Sequence, residues 1–310
     1  MIKSYIKYLI YHIKIITKNI LILLWSYSLI SFLAILRHLP IKIGLSFFSW
    51  LAKTLGPHVH RHKIALNNLK AAYPEKTQQE LHEIVMEMWE NMGLLLAEYV
   101  FLDKIFDFDP DAEKPGLIEV SGIEIFKRLR NEKKPHLFFT AHTGNFELLP
   151  VCAQKFSLNM TVLFRPPNNF HIAKRVFKAR QTSMGNLVPS QAGAVWTLAE
   201  KLAKGENVGM LVDQKFRQGI SSTFFNRPLK TNPLIIKLAR QYKCDIYPAR
   251  CIRLPGGRHR LELYERIELP SKADNEIDID ASVQKLNDIV ETWVREHPGQ
   301  WMWFHKRWDA

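Results

Sequence analysis

Apolar positions follow three patterns along the chain. The first is an unbroken run of 17 uncharged residues from Ile20 to Leu36, then Arg37 and a stretch from Leu39 to Leu55 that is apolar on one side. A run of this length is just enough for a helix across a bilayer core, which takes roughly 17–25 residues. The second begins at Thr77-Gln78-Gln79-Glu80, a capping box behind Pro74. Leu81, Ile84, Val85, Met88, Trp89, Met92, Leu95 and Tyr99 follow at helical spacing and predict a long helix with one core-facing side. In the third, short β-type runs alternate with helical ones. Leu117–Val120, His136–Phe139, Met160–Phe164, Val208–Val212, Ile246–Ile252 and Arg260–Tyr264 read as strands. Helices are predicted over Gly122–Arg130, Gly144–Lys155, Ala173–Thr182, Ala194–Lys204, from Asn232-Pro233 to Lys243, and from Val283 to Val294. Strand–helix alternation at this spacing predicts an α/β fold: a mixed, largely parallel sheet with helices on both faces. Ligands of such sheets sit at the carboxyl ends of strands. The acidic, turn-rich Pro110–Pro115 reads as a boundary. The organisation expected is a basic apolar membrane-anchoring segment at 1–56, a helical subregion at 57–110 and an α/β core at 111–310.

Charge sharpens the reading of the first segment. Residues 1–70 carry ten Lys/Arg and no Asp or Glu, against a net charge of +13 for all 310 residues. Such a device seeks a polyanion, either nucleic acid or an anionic membrane. Its cations are interleaved with Leu and Ile rather than with polar residues and stacking rings, which favours the membrane over nucleic acid. The segment either crosses the bilayer or lies along its surface; a buried core helix is the remaining reading. Three cysteines, Cys152, Cys244 and Cys251, contain no C-x-x-C and suit a reducing compartment.

The sequence lacks G-x-G-x-x-G, a phosphate-binding G-x-x-x-x-G-K-[ST], G-x-S-x-G and H-E-x-x-H, which argues against nucleotide-dependent chemistry, an elbow serine hydrolase and a zincin. His142 stands out by position, since it follows the strand-like Leu137–Thr140. Gly144 permits a tight turn, and Glu147 lies five residues beyond the histidine. A chain bent at Gly144 lets the Glu147 carboxylate reach one imidazole nitrogen, making a general base for a hydroxyl attacking an activated carbonyl. The competing reading is a histidine capping a helix beside a solvated glutamate. Arg165-Pro166-Pro167-Asn168-Asn169 ends the next strand, where the arginine either clamps a phosphate or carboxylate or pairs across a loop. His58, His60 and His62 alternate with Val59 and Arg61, a solvated basic stretch rather than a metal site. Trp301, Trp303 and Trp308 with His305, Lys306 and Arg307 form either a final strand that packs its rings or an anionic-lipid contact.

Four blocks in this order resemble one family. They are Asn68-Leu69 with Pro74-Glu75; His142-Thr143-Gly144-Asn145-Phe146-Glu147; Arg165-Pro166 with Asn169; and Val208–Gln214 with Asp213, followed by the most specific match, the ending Pro298 to Trp308. The chain is similar over nearly its whole length to the late acyltransferases of lipid A biosynthesis, the lauroyl/myristoyl family. It departs at Phe170, where the family often has a proline. The resemblance implies a glycerophosphate-acyltransferase-like fold at the cytoplasmic face of a Gram-negative inner membrane. It also implies transfer from acyl carrier protein to a hydroxyl of an anionic, Kdo-bearing lipid A precursor, without metal or cofactor. His142 is then the base and Glu147 its orienting partner. Backbone N–H groups at Gly144 and Asn145, or Arg165, would meet the oxyanion. Arg165, Arg180, Asp213, His305 and Arg307 are the remaining candidates for substrate binding. The second block, with Asp in place of Glu, also marks glycerolipid acyltransferases, so a lysophospholipid acceptor is the rival enzyme reading. A non-catalytic basic membrane protein is the other.

Overall fold

The computed structural model describes residues 2–109, 116–166, 169 and 184–308. The strands are β1 (Ile118–Ser121), β2 (His136–Thr140), β3 (Met160–Phe164), β4 (Asn186–Pro189), β5 (Asn207–Leu211), β6 (Lys215–Phe224), β7 (Arg227–Thr231), β8 (Asp245–Leu254) and β9 (Arg258–Leu263). Seven of them form one mixed sheet in the order β1-β9-β8-β2-β5-β3-β4, while β6 and β7 make a separate antiparallel hairpin. Every neighbouring pair in the sheet is parallel except β8 and β9, which turn back on each other through Pro255–Gly257.

The described helices are α1 (Ile2–Leu36), α2 (Ile41–Leu55), α3 (His60–Ala72), α4 (Gln78–Val100), α5 (Leu102–Ile105), α6 (Ile123–Asn131), α7 (Leu148–Lys155), α8 (Ala194–Ala203), α9 (Leu234–Tyr242) and α10 (Ile279–Glu296). Alternation along the strands divides the interior in two, as a sheet covered on both faces requires. Leu137, Phe139, Val208 and Met210 join α3, α4, α8, α9 and α10 in one apolar cluster. Phe138, Met160, Tyr247, Leu261 and Leu263 join α5, α6 and α7 in the other. The capping box of α4 forms as the sequence indicates: the Glu80 N–H donates to Thr77 Oγ1, and the Thr77 N–H to Glu80 Oε2.

Within α1, Tyr11–Leu36 is long and apolar enough to cross a membrane, and only Ser26 and Leu36 are buried along it. Its last third leans on the body. Asn169 Nδ2 donates to Ser26 Oγ at 2.8 Å, and Leu33 and Leu36 pack with Phe48 and Ala97. Helix α2 buries Gly44 and Phe48 and leaves Ile43, Phe47 and Trp50 exposed as one apolar stripe at i, i+4 and i+7.

Several expectations change. Strand β4 and the β6–β7 hairpin stand where no strand was anticipated: β4 is only four residues long and ends in a proline, and β6 and β7 are largely polar. The helix expected from Gly144 starts at Leu148, because residues 144–147 are spent on a turn. The terminal Trp-rich segment is no strand. It makes a single bridge, Thr143 with Trp301, and otherwise turns. The helix expected over Ala173–Thr182, the Pro110–Pro115 boundary and Arg180 lie outside the described residues.

Candidate active site

Strands β2 and β5 are parallel neighbours with Thr140 opposite Leu211. Two residues beyond each strand end stand His142 and Asp213, so the register itself sets them side by side despite 71 residues of separation. Asp213 Oδ1 lies 2.7 Å from His142 Nδ1, and its Oδ2 accepts from the His142 backbone N–H at 2.8 Å and from the Trp301 indole N–H at 2.8 Å. Burial alone would raise the Asp213 pKa. The His142 ring, the His142 N–H and the Trp301 indole more than reverse this and hold the carboxyl far below the usual carboxylate range. An ionised carboxylate only accepts, so Nδ1 carries the proton and Nε2 presents its lone pair. Gln214 Nε2 sits on that lone pair at 3.2 Å.

Two assignments are corrected here. The orienting partner expected in Glu147 is Asp213, and Asp213, expected among the substrate-binding groups, is buried behind the imidazole. Glu147 N-caps α7 by position and accepts a hydrogen bond from the Tyr99 hydroxyl. It remains in the site as part of the cavity wall.

The turn from β2 into α7 is held from below. Gly144 has φ +53°, and a Cβ there would stand 2.3 Å from the Cys251 carbonyl oxygen, so only glycine fits. Its N–H donates to the Gln300 carbonyl at 3.0 Å. Asn145 is 1% exposed and its Nδ2 donates to Glu98 Oε2 at 2.8 Å. The expectation that Gly144 and Asn145 face the substrate is therefore corrected: both are turned into the scaffold. Glu98 of α4 also receives both Nη groups of Arg253 and the His259 ring, while Arg253 Nε donates to Asn91 Oδ1 at 2.9 Å. Burial pushes the Glu98 pKa up, but Arg253 and His259 override it and bring it down to about 2.

Beside His142 opens a cavity of about 560 Å³, within the ~300–1,000 Å³ of small-molecule sites. Its floor is apolar, with Phe138, Met160, Val162, Gly209, Leu261 and Leu263 of the sheet under Leu149 and Ala153 of α7. Its polar lining includes His142, Glu147, Arg165, Gln214, Lys215 and His305. Arg165 is exposed there. The His305 ring lies 5.4 Å from that of His142, and burial, followed by the field of His142, pushes its pKa down to about 4. Among the described residues no cluster of three His, Cys, Asp or Glu could hold a metal ion.

Arg307, expected to bind substrate, is instead 1% exposed. Its Nη1 donates to the Gln214 carbonyl at 2.7 Å, and its Nη2 to Thr231 Oγ1 and Asn287 Oδ1. Burial brings its pKa down to about 10. The three terminal tryptophans are buried too, Trp303 fully, which corrects the anionic-lipid reading of these rings. Asn68 of α3 clamps this terminus by donating to the carbonyls of Trp303 and His305 at 2.8 and 2.9 Å. The roles of Trp301, Gln214 and Glu98 were not anticipated from sequence.

The chain matches the sequence profile of the bacterial lipid A biosynthesis acyltransferases from residue 16 to residue 310. It is 25% identical over 253 residues to the lipid A biosynthesis lauroyltransferase of Escherichia coli strain K12, covering 80% of this chain and 78% of that one. To the myristoyltransferase of the same organism it is 22% identical over 244 residues, 78% of this chain and 73% of the other. A lipid A biosynthesis acyltransferase of Haemophilus influenzae is 19% identical over 278 residues, 88% and 84% of the two chains. The matched residues span His142, Asp213 and the cavity beside them from end to end: the chain belongs to the bacterial lipid A biosynthesis acyltransferase family.

Proposed function

We propose that the protein moves a fatty acyl chain from acyl carrier protein thioester to a hydroxyl of a Kdo-bearing lipid A precursor, at the cytoplasmic face of the inner membrane. The observation that carries this reading is His142, whose Nδ1 is held by Asp213 and whose side chain lines the largely apolar cavity. The acyl chain lies along the floor of Phe138, Met160, Val162 and Leu261, and the thioester carbonyl sits beside His142. His142 Nε2 takes the proton of the acceptor hydroxyl as its oxygen attacks, and Asp213 stabilises the imidazolium that forms. The same proton passes to the departing thiolate when the C–S bond breaks. The thioester is already activated, so the site has only to position the reactants, accept a proton and steady the developing oxyanion.

Substrate character fits the surfaces. Arg165 at the rim suits a phosphate or sugar carboxylate of the acceptor, and His305, neutral above about pH 4, suits a hydrogen bond that carries no charge. The ten cations of residues 1–70 suit both an anionic lipid surface and an acidic donor protein. Helix α1 anchors the chain, and the exposed stripe of α2 rests at the bilayer surface, where Trp50 and Lys53 match the preference of Trp and Lys for the headgroup zone. The test is to offer purified full-length protein the acyl carrier protein thioester with either the lipid A precursor or lysophospholipid. Mass spectrometry of lipid A from cells with and without the protein accompanies it. Turnover of the precursor and a mass gain of one acyl group per site support the reading; turnover of lysophospholipid alone overturns it.

A further inference from the structure

The atom that must take a proton from the acceptor already has a partner within the protein. Gln214 Nε2 stands 3.2 Å from His142 Nε2, and an amide NH₂ can only donate. An incoming hydroxyl therefore has to displace this carboxamide before it can lose its proton. Gln214 is otherwise built to move at its side chain and nowhere else. Its carbonyl is fixed by the buried Arg307, and its neighbour Asp213 is held at both carboxylate oxygens. The side chain is exposed to the cavity and makes no second hydrogen bond among the described residues. The Gly144 N–H, meanwhile, is spent on Gln300, so the turn beside His142 does not offer this donor to an oxyanion.

We propose that the Gln214 carboxamide is a catalytic group of this site: it caps the His142 lone pair until the acceptor hydroxyl displaces it, and then donates its N–H to the thioester carbonyl oxygen. In the attack, the acceptor oxygen bonds to the carbonyl carbon and its proton goes to His142 Nε2. The carbonyl π pair moves onto oxygen, where the Gln214 N–H meets it. Collapse restores the carbonyl, breaks the C–S bond and returns the proton from His142 to the thiolate. The products are ester and free thiol, with no further reactant. The inference rests on the acyl-transfer reading of the same site.

The experiment compares Gln214→Met, which keeps the length but removes the donor, with Gln214→Glu, which sets an anion beside the developing oxyanion. His142→Ala is the control. Each full-length enzyme is assayed with acyl carrier protein thioester and lipid A precursor for kcat and KM separately, with melting temperature as a check on folding. Loss of one oxyanion donor costs about 10²–10³-fold in kcat, so Gln214→Met is expected to fall in that range. Its acceptor KM should be unchanged or lower, because the cap is gone. Gln214→Glu should be slower still. A purely structural glutamine would not split kcat from KM in this way. If His142→Ala abolishes turnover while Gln214→Met keeps kcat within threefold, or loses only through KM, the Gln214 proposal is overturned and the base stands. If His142→Ala itself turns over normally, the acyl-transfer reading of the site fails and the Gln214 proposal with it.

Discussion

Replacing Asp213 by asparagine changes one atom and tests the orientation of His142. The carboxylate accepts three hydrogen bonds: from His142 Nδ1 on Oδ1, and from the His142 N–H and Trp301 Nε1 on Oδ2. An asparagine has one acceptor oxygen and one donor group. Turning its NH₂ toward Oδ2 would leave two buried donors facing a donor, at about 1–3 kcal/mol each. The oxygen therefore stays at Oδ2 and the NH₂ faces His142 Nδ1. That nitrogen must then accept, so the ring proton moves to Nε2 and the lone pair needed for the hydroxyl is lost. The same swap in an Asp–His pair of a serine hydrolase costs about 10⁴ in kcat through the wrong tautomer. We expect a loss of about 10³–10⁴-fold here, or about 4–5.5 kcal/mol of barrier. The assay is thiol release from the thioester donor at saturating acceptor, with Glu147→Gln run beside it. An Asp213→Asn enzyme that melts normally and keeps more than a tenth of its kcat refutes the reasoning, and a larger loss in Glu147→Gln returns the orienting role to Glu147.

Four further outcomes follow from the same structure. Glu98→Ala strands Arg253 and frees Asn145, and is expected to cost about 3–5 kcal/mol of stability, as breaking a buried ion pair does; a denaturant melt showing under about 1 kcal/mol rejects it. Acid should weaken the parent protein in two stages: from pH 6.5 to about 4 the unfolded chain takes up a proton that folded His305 refuses, and from about 4.5 to about 2 it takes up the one that folded Glu98 refuses. A melting temperature flat from pH 6.5 to 4 in the parent, or unaltered there by His305→Gln, contradicts the first stage. A Cβ at Gly209 would lie 2.9 Å from Met160 Sδ and 3.1 Å from Val162 Cγ1 on the cavity floor, so Gly209→Val should disfavour the native acyl chain at least about tenfold against one two carbons shorter; an unchanged chain preference in competition assays counts against the floor as the acyl site. A nitroxide on Trp50→Cys, specific because Cys152, Cys244 and Cys251 are buried, should in anionic vesicles collide more with oxygen than with a polar nickel complex; the reverse ratio removes α2 from the bilayer surface.

Periodicity made the α/β architecture, α4 with its capping box and the apolar start of the chain readable from the sequence alone. The site was half legible. His142 is visible because it follows an apolar strand, which is a local signal. Asp213 was found in a block but assigned to substrate, because a single chain does not state that β2 and β5 are neighbours in register. Given that adjacency, the two residues standing two places past each strand end would have been paired at once. Gly144 announced a turn correctly, yet its N–H and the side chain of Asn145 were spent on Gln300 and Glu98, which lie 156 and 47 residues away. Arg307 shows the opposite error: a cation among tryptophans looks like a surface contact until packing buries it on the Gln214 carbonyl.

The clamp that residues 301–308 place on the centre has a consequence for biosynthesis. Chains are made from the N-terminus onward at about 5–20 residues per second, so the sheet, the cavity and the imidazole are all synthesised before the indole that binds Asp213 and the guanidinium that fixes Gln214. Until that segment is made, Asp213 lacks its indole donor, the Gln214 carbonyl lacks its guanidinium, and the core lacks two of its largest fully buried side chains. A chain cut just upstream of Trp301 is expected to be inert and, with that core unfilled, poorly folded as well.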